Sequence, residues 1–201
     1  MILKPVNTGK SIAAIATLAL IASLGLAGCS ATSSGENNAA NAAKDNQTNQ
    51  QLQDEYRLMF AQMMIPHHQQ AVAMGTLAET RASSTAVKEL AAKIAGEQAP
   101  EVSMMQGWID GAGAAADGGM HMNHMTMDGM LTDAQMAELK SASGGAFDKL
   151  YLNYMIAHHE GAVKLAKLAL KSKNTKLEKL AKSIVDSQTA QIEYMKSLLA
   201  K

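Results

Sequence analysis

Met64-Ile65-Pro66-His67-His68-Gln69-Gln70-Ala71-Val72 returns 91 residues later as Met155-Ile156-Ala157-His158-His159-Glu160-Gly161-Ala162-Val163. Further on, Leu90-Ala91, Ile94, Gln98, Val102 and Met105 pair with Leu180-Ala181, Ile184, Gln188, Ile192 and Met195 at a spacing one residue shorter. The lost residue falls in a Ser/Thr-rich turn, so each half is two elements joined by a short connection, and the pair occurs twice.

Periodicity makes the elements helices. At about 100° per residue, Phe147, Leu150, Tyr151, Tyr154, His158, Gly161, Leu165 and Leu168 fall on one core-facing stripe. Tyr56, Phe60, Met63, His67, Gln70 and Met74 do the same in the first half. The second and fourth helices carry Leu90, Ile94, Gln98, Val102, Met105 and Trp108, and Leu180, Ile184, Gln188, Ile192 and Met195. No strand alternation is present. The expected class is all-α: an antiparallel four-helix bundle over 51–201 with internal pseudo-two-fold symmetry. Hairpin 1 spans about 52–109, a connector about 110–143 and hairpin 2 about 144–200.

The repeated motif also carries chemistry. His67 and His158 lie mid-stripe, whereas His68 and His159 lie about 100° further round, at the stripe edge beside Met64 and Met155. Each outer His has a thioether one turn away. Two readings are open for the inner pair: metal ligands, or members of a buried network in which Gln98, Gln188 and Glu101 bond to His67 and His158. For the outer pair the bland reading is an exposed edge residue. Pro66 removes a helix bond and predicts a kink before His67, while its counterpart Ala157 does not, so the two halves are expected to be non-equivalent.

The connector is Gly/Ala-rich over 110–119 and then reads Met120-His121-Met122-Asn123-His124-Met125-Thr126-Met127-Asp128-Gly129-Met130. It has neither helical nor strand period and is expected to be a loop, followed by a short helix capped at Thr132-Asp133 and ending by Gly144-Gly145. Thioether with imidazole selects soft late metals, Cu(I) and by analogy Ag(I), with imidazole also serving Cu(II). The polar residues between these Met argue against core filler.

The N-terminus sets the compartment. Lys4 and Lys10 precede an uncharged apolar run over 12–26 and then Leu26-Ala27-Gly28-Cys29. This is the pattern of a secretory signal over 1–28, too short to span a membrane. The four residues ending at Cys29 look like a lipoprotein lipobox, which implies cleavage before Cys29 and lipidation there. Residues 29–50, rich in Ser, Asn, Gln and Ala, are expected to be a flexible tether.

Composition excludes several classes. The 201 residues carry 18 Lys+Arg against 18 Asp+Glu, which provides no electrostatic footprint for nucleic acid. One Cys excludes a disulfide framework and Cys-based metal sites. A carboxylate-bridged dimetal bundle needs Glu-x-x-His, which is absent, so a metallo-oxidoreductase is disfavoured, and no machinery for hydrolytic chemistry is visible.

The doubled Met-x-x-His-His and the Ile94, Gln98, Glu101, Met105, Trp108 spacing resemble the domain-of-unknown-function family 305 over about residues 52–199. That resemblance implies a ferritin-like four-helix bundle and, for some members, secreted copper- and silver-binding proteins. It implies Met64, His67, His68, Met155, His158 and His159 as signature positions, with Met105 and Met195 as their counterparts on the second and fourth helices. The fourth helix has Gln191 where the second has Glu101, so a role needing that carboxylate exists once. The resulting expectation is a lipid-anchored extracytoplasmic protein that sequesters or transfers Cu(I), with Ag(I) or Cu(II) as further ions. Met120, His121, Met122, His124, Met125, Met127 and Met130 would capture the ion and the bundle would hold it. A copper-transfer partner and a homo-oligomer are the protein partners this expectation admits. The alternative is a helical interaction module with a structural His–Gln network.

Overall fold

A computed structural model describes the backbone of residues 34–113 and 127–201, with side chains from residue 44 onward. It contains α1 (Ser34–Arg81), α2 (Thr85–Ala112), α3 (Asp133–Ser141), α4 (Gly144–Ala169) and α5 (Thr175–Leu199), and no strand among the described residues. α1 pairs with α2 and α4 with α5 as two hairpins, and α1 packs on α4 between them. The duplicated four-helix architecture is therefore present, with the short α3 in the connector as expected.

One local expectation changes. α1 begins at Ser34, inside the segment read as a coil tether. Ala, Gln and Lys are good helix formers, and extending an existing helix avoids the cost of nucleation, so the polar stretch continues the packed helix although its side chains over 44–52 are exposed. The helix also runs unbroken through Pro66, whose ring lies on the exposed side. α2 holds Pro100 in the same way, and the matching positions of hairpin 2 are Ala157 and Ala190.

The turns are held from across the bundle. Ser84 caps α2 by accepting from the Val87 amide at 3.4 Å. Asp148 of α4, 8% exposed, accepts from the Ser83 amide at 3.1 Å, the Ser84 amide at 3.0 Å and the Ser83 hydroxyl at 2.5 Å. At the other end Asn174 caps α5 through the Leu177 amide at 3.2 Å and donates to Asp54 of α1 at 2.9 Å. Each hairpin's turn is thus closed by a polar side chain of the other hairpin, which satisfies orphan helix-end amides and sets the axial stagger.

The interior is two apolar clusters separated by a polar layer. One cluster holds Met74, Leu90, Ile94, Phe147, Tyr151, Met155, Ile192 and Met195. The other holds Phe60, Met64, Met105, Met127, Leu177, Leu180 and Ile184. Along every long helix the switch between clusters falls at His67, Gln98, His158 or Gln188, Val163 aside. The expected stripes are narrower than the faces that are buried: Leu152, Ala162 and Ala166 are also interior, while Leu168 is 58% exposed.

Candidate metal centre

His67, His68, His158 and His159 are all fully buried, with 0% of their surface exposed. The pseudo-symmetry axis passes between His67 and His158, whose ring centroids are 3.6 Å apart with planes inclined by 34°. Each inner ring sits about 6 Å from the outer ring of its own helix. The outer histidines face the second helix of their own hairpin. His68 Nε2 meets Glu101 Oε2 at 2.8 Å, and His159 Nε2 meets Gln191 Oε1 at 2.7 Å. The two bonds are equivalent across the duplication.

This arrangement decides between readings that the sequence left open. The stripe-edge histidines are interior, because α2 and α5 cover the edge as well as the centre of each stripe. The network also takes a different form: Glu101 pairs with His68, not His67, and both polar atoms of Gln98 and Oε1 of Gln188 have no protein partner. Both nitrogens of His67, both of His158, and Nδ1 of His68 and His159 likewise lack a protein hydrogen-bond partner. A buried network that served only structure would satisfy these groups, since each unpaired one costs about 1–3 kcal/mol.

The orientation of Gln191 fixes a tautomer. Its Nε2 donates to Glu97 Oε2 at 2.6 Å, so its oxygen faces His159 and must accept from Nε2–H. Turning the amide would set its oxygen against a carboxylate. His159 therefore carries its proton on Nε2 and presents a bare Nδ1 to the interior. Glu101 likewise takes the Nε2–H of His68, because a carboxylate accepts from the ring N–H.

Burial keeps the inner rings neutral. It pushes His67 down to about 3, with the charges of His68 and His159 adding to the effect. The carbonyls of Asp128 and His158 oppose that shift without making a well-aligned bond to the ring. Burial likewise holds His158 well below the ordinary histidine value and lowers His159 to about 4, the Gln191 bond opposing the shift. Neutral imidazole is the form that ligates metal.

The end of the connector lies across this layer as a strap. Leu131 N donates to Gln70 Oε1 at 2.7 Å and Gln70 Nε2 returns a bond to the Leu131 carbonyl at 2.9 Å. Lys164 pairs with Asp128 at 2.5 Å. Gly129, at φ +84°, lies so close to α4 that a Cβ there would overlap the Ala157 carbonyl, and a Cβ on Gly161 would overlap the carbonyl of Asp128. Gly161 thus replaces the partner motif's Gln70 to let the strap backbone pass.

Met64, Met105, Met155 and Met195 are fully buried, as is Met74. Met127 is 6% exposed within an apolar cluster and Met130 is half-buried against it. Reading the connector as free of core residues is therefore corrected for Met127: the strap carries it inside. The bundle methionines are core residues in their own right, so their number alone does not mark a ligand set. Cys29, Met120, His121, Met122, His124 and Met125 lie outside the described residues. Glu97 and Asp148 were not singled out by the sequence, and Gln70 was read only as a stripe position. A polar residue at a stripe edge was the one available signal for Glu97.

Among the described residues no three His, Cys, Asp or Glu side chains are grouped as a metal site. Imidazole nitrogens without partners are of the type that fits a soft ion, and the buried Met64 and Met155 stand one turn from His68 and His159 on the same helices.

The family profile described as "Domain of unknown function (DUF305)" matches residues 57–199. The chain belongs to this family. A DUF305 protein from Streptomyces coelicolor, described as secreted, is 37% identical, with a TM-score of 0.64 over 70% of this chain and 90% of that one. CopM in its Cu(I)-bound form is 28% identical, with a TM-score of 0.57 over 71% of this chain and 94% of CopM. In the Cu(II)-bound form the values are 31%, 0.59, 71% and 94%. CopM is also known in a Ag-bound form. No curated protein matches the chain. Among the described residues no helix of this DUF305 chain is long and apolar enough to cross a membrane.

Proposed function

We propose that this DUF305 chain is an extracytoplasmic, lipid-anchored protein that binds Cu(I), with Ag(I) and Cu(II) as further ions, for sequestration or transfer. The observation that carries the reading is the set of buried imidazole nitrogens without protein partners, two of them on rings whose opposite N–H is anchored by Glu101 or Gln191. An imidazole held this way from behind is the usual arrangement of a metal-ligating histidine. Met64 and Met155, buried in the apolar clusters on either side of the layer, would supply thioether from one turn away. Likeness to CopM, which binds copper and silver, supports the ion class.

In this reading the Met/His stretch of the connector captures the ion outside. Met127, at the inner end of that stretch, leads to the His layer. Cys29 would hold the chain at the membrane.

The test is anaerobic titration of the purified chain with Cu(I) against a chromogenic chelator. Competition at micromolar chelator-bound copper is expected. Failure to compete would leave the structural reading, a bundle with a polar layer and no ion. Mass spectrometry of the chain from the membrane fraction tests the anchor: a diacylated N-terminal Cys29 is expected, and an unmodified mature N-terminus elsewhere would remove that part.

A further inference from the structure

Charge is divided unevenly between the two hairpins. Over 52–112 four Lys and Arg stand against seven Asp and Glu, whereas over 161–185 seven Lys stand against Glu178 alone. All seven are exposed. Lys164 pairs with Asp128 and Lys182 with Asp186, which leaves Lys167, Lys171, Lys173, Lys176 and Lys179 without an ion-pair partner among the described residues. They surround the α4–α5 turn. Lys167 and Lys171, at the C-terminal end of α4, suit the dipole of that helix, but Lys173 and Lys176 stand at the N-terminus of α5, where the dipole repels cations. Stability alone would not collect positive charge there. Three of the six large apolar side chains exposed among the described residues lie at the same end: Leu168, Leu170 and Leu52. Gln53, next to Leu52, accepts from the Lys173 amide at 2.9 Å and from the Ser172 hydroxyl at 3.0 Å. Lys164, Lys167 and Leu168 share one outward face of α4.

Resting on the lipid-anchored reading above, we infer that the α4–α5 turn end of hairpin 2 is a docking surface for an anionic lipid bilayer. Lysines interleaved with exposed leucines suit such a surface, because the ammonium groups meet phosphate headgroups while the leucines enter the apolar boundary beneath. The path of α1 favours lipid over a soluble polyanion. α1 enters the bundle at this end, where Gln53 and Asp54 bond to the turn, and it extends beyond to Ser34. Ser34, five residues after Cys29, therefore lies past the same end as the lysines. Residues 34–52 amount to about 28 Å of helix. Held upright, α1 would keep the lysines well beyond a Debye length, about 8 Å at physiological salt, from the headgroups. Docking thus lays α1 along the membrane, and the patch sets the orientation of the bundle there while Cys29 would supply the attachment.

The experiment places the full chain, purified from membranes, in vesicles of phosphatidylcholine alone or mixed with phosphatidylglycerol, and follows lysine acylation by a water-soluble reagent with mass spectrometry. On the anionic vesicles Lys167, Lys171, Lys173 and Lys176 are expected to react several-fold more slowly than on the neutral ones, while Lys88 and Lys93 of hairpin 1 react alike on both. Raising the salt from about 0.1 M to about 1 M, which shortens the Debye length from about 10 Å to about 3 Å, should restore the rates. Combining Lys171→Gln, Lys173→Gln and Lys176→Gln should abolish the protection of Lys167 with the thermal midpoint unchanged. Equal rates on both vesicles, with the chain retained on both through the salt wash, would overturn the docking surface and leave the anchor. Retention on anionic vesicles alone, released by salt, would support the docking surface and overturn the anchor. Release from both would overturn both. Protection of the same lysines by duplex DNA but not by anionic vesicles would assign the patch to nucleic acid and overturn the lipid assignment.

Discussion

The imidazoles of His67 and His158 meet across the pseudo-symmetry axis, 3.6 Å between centroids with planes inclined by 34°, fully buried and without protein hydrogen-bond partners. Two apolar clusters flank them, so unpartnered polar groups occupy the centre of the described bundle. Such a site lowers stability and is retained where a function needs it.

The first prediction concerns pH. His67 titrates near 3 and His159 near 4 in the folded chain, with His158 also depressed, against about 6.5 when unfolded. Between these values the unfolded chain binds more protons, so stability is lost as pH falls. The metal-free chain should show little pH dependence from these groups above about pH 7.5. Each of these histidines then costs up to about 1.4 kcal/mol per pH unit below 6.5, until its folded value is reached. Urea denaturation from pH 8 to 5 measures this, and a flat profile between 6.5 and 5 would contradict the neutral layer.

Met64→Leu and Met155→Leu separate packing from ligation. Both side chains are fully buried, and Leu conserves their volume, so each change should cost less than about 1.5 kcal/mol in the metal-free chain. Cu(I) affinity should drop about tenfold or more in each. Unchanged Cu(I) affinity would make these methionines core residues alone.

A methyl group at Gly161 tests the strap. Its Cβ would collide with the Asp128 carbonyl, and backbone cannot yield as a flexible side chain can. Gly161→Ala is therefore expected to lift Met127–Leu131 while leaving α4 helical. The Leu131 amide, held by Gln70 at 2.7 Å, should exchange with solvent faster by an order of magnitude or more. Gln70→Ala should shift the same amide in the same direction. Unaltered exchange in Gly161→Ala would show that the strap accommodates the methyl in place.

Asp148→Ala removes the acceptor for two turn amides and a hydroxyl at the α1–α2 connection. A loss of about 2–3 kcal/mol is expected from urea denaturation, as for other caps and charge-assisted hydrogen bonds. Asp148→Asn, which keeps one acceptor oxygen, should lose less.

Helix order, the duplication, the central place of His67 and His158 and the short capped helix were all legible in the sequence. Each depends on interactions within a few residues along one chain segment, and the 3.6-residue period reports that directly. The polar partners were not legible. Glu101 reaches His68, Gln98 reaches neither inner histidine, and the strap buries Met127, because a hydrogen bond between helices depends on their relative rotation and axial shift to within about 1 Å. Periodicity resolves only one residue, about 1.5 Å of rise and 100° of turn. The sequence by itself determined that four helices bring two Met-x-x-His-His motifs to one layer. Tertiary structure alone decided which nitrogens in that layer were paired and which were left bare, since the stagger set by Asp148 and Asn174 across the hairpins is encoded in neither motif.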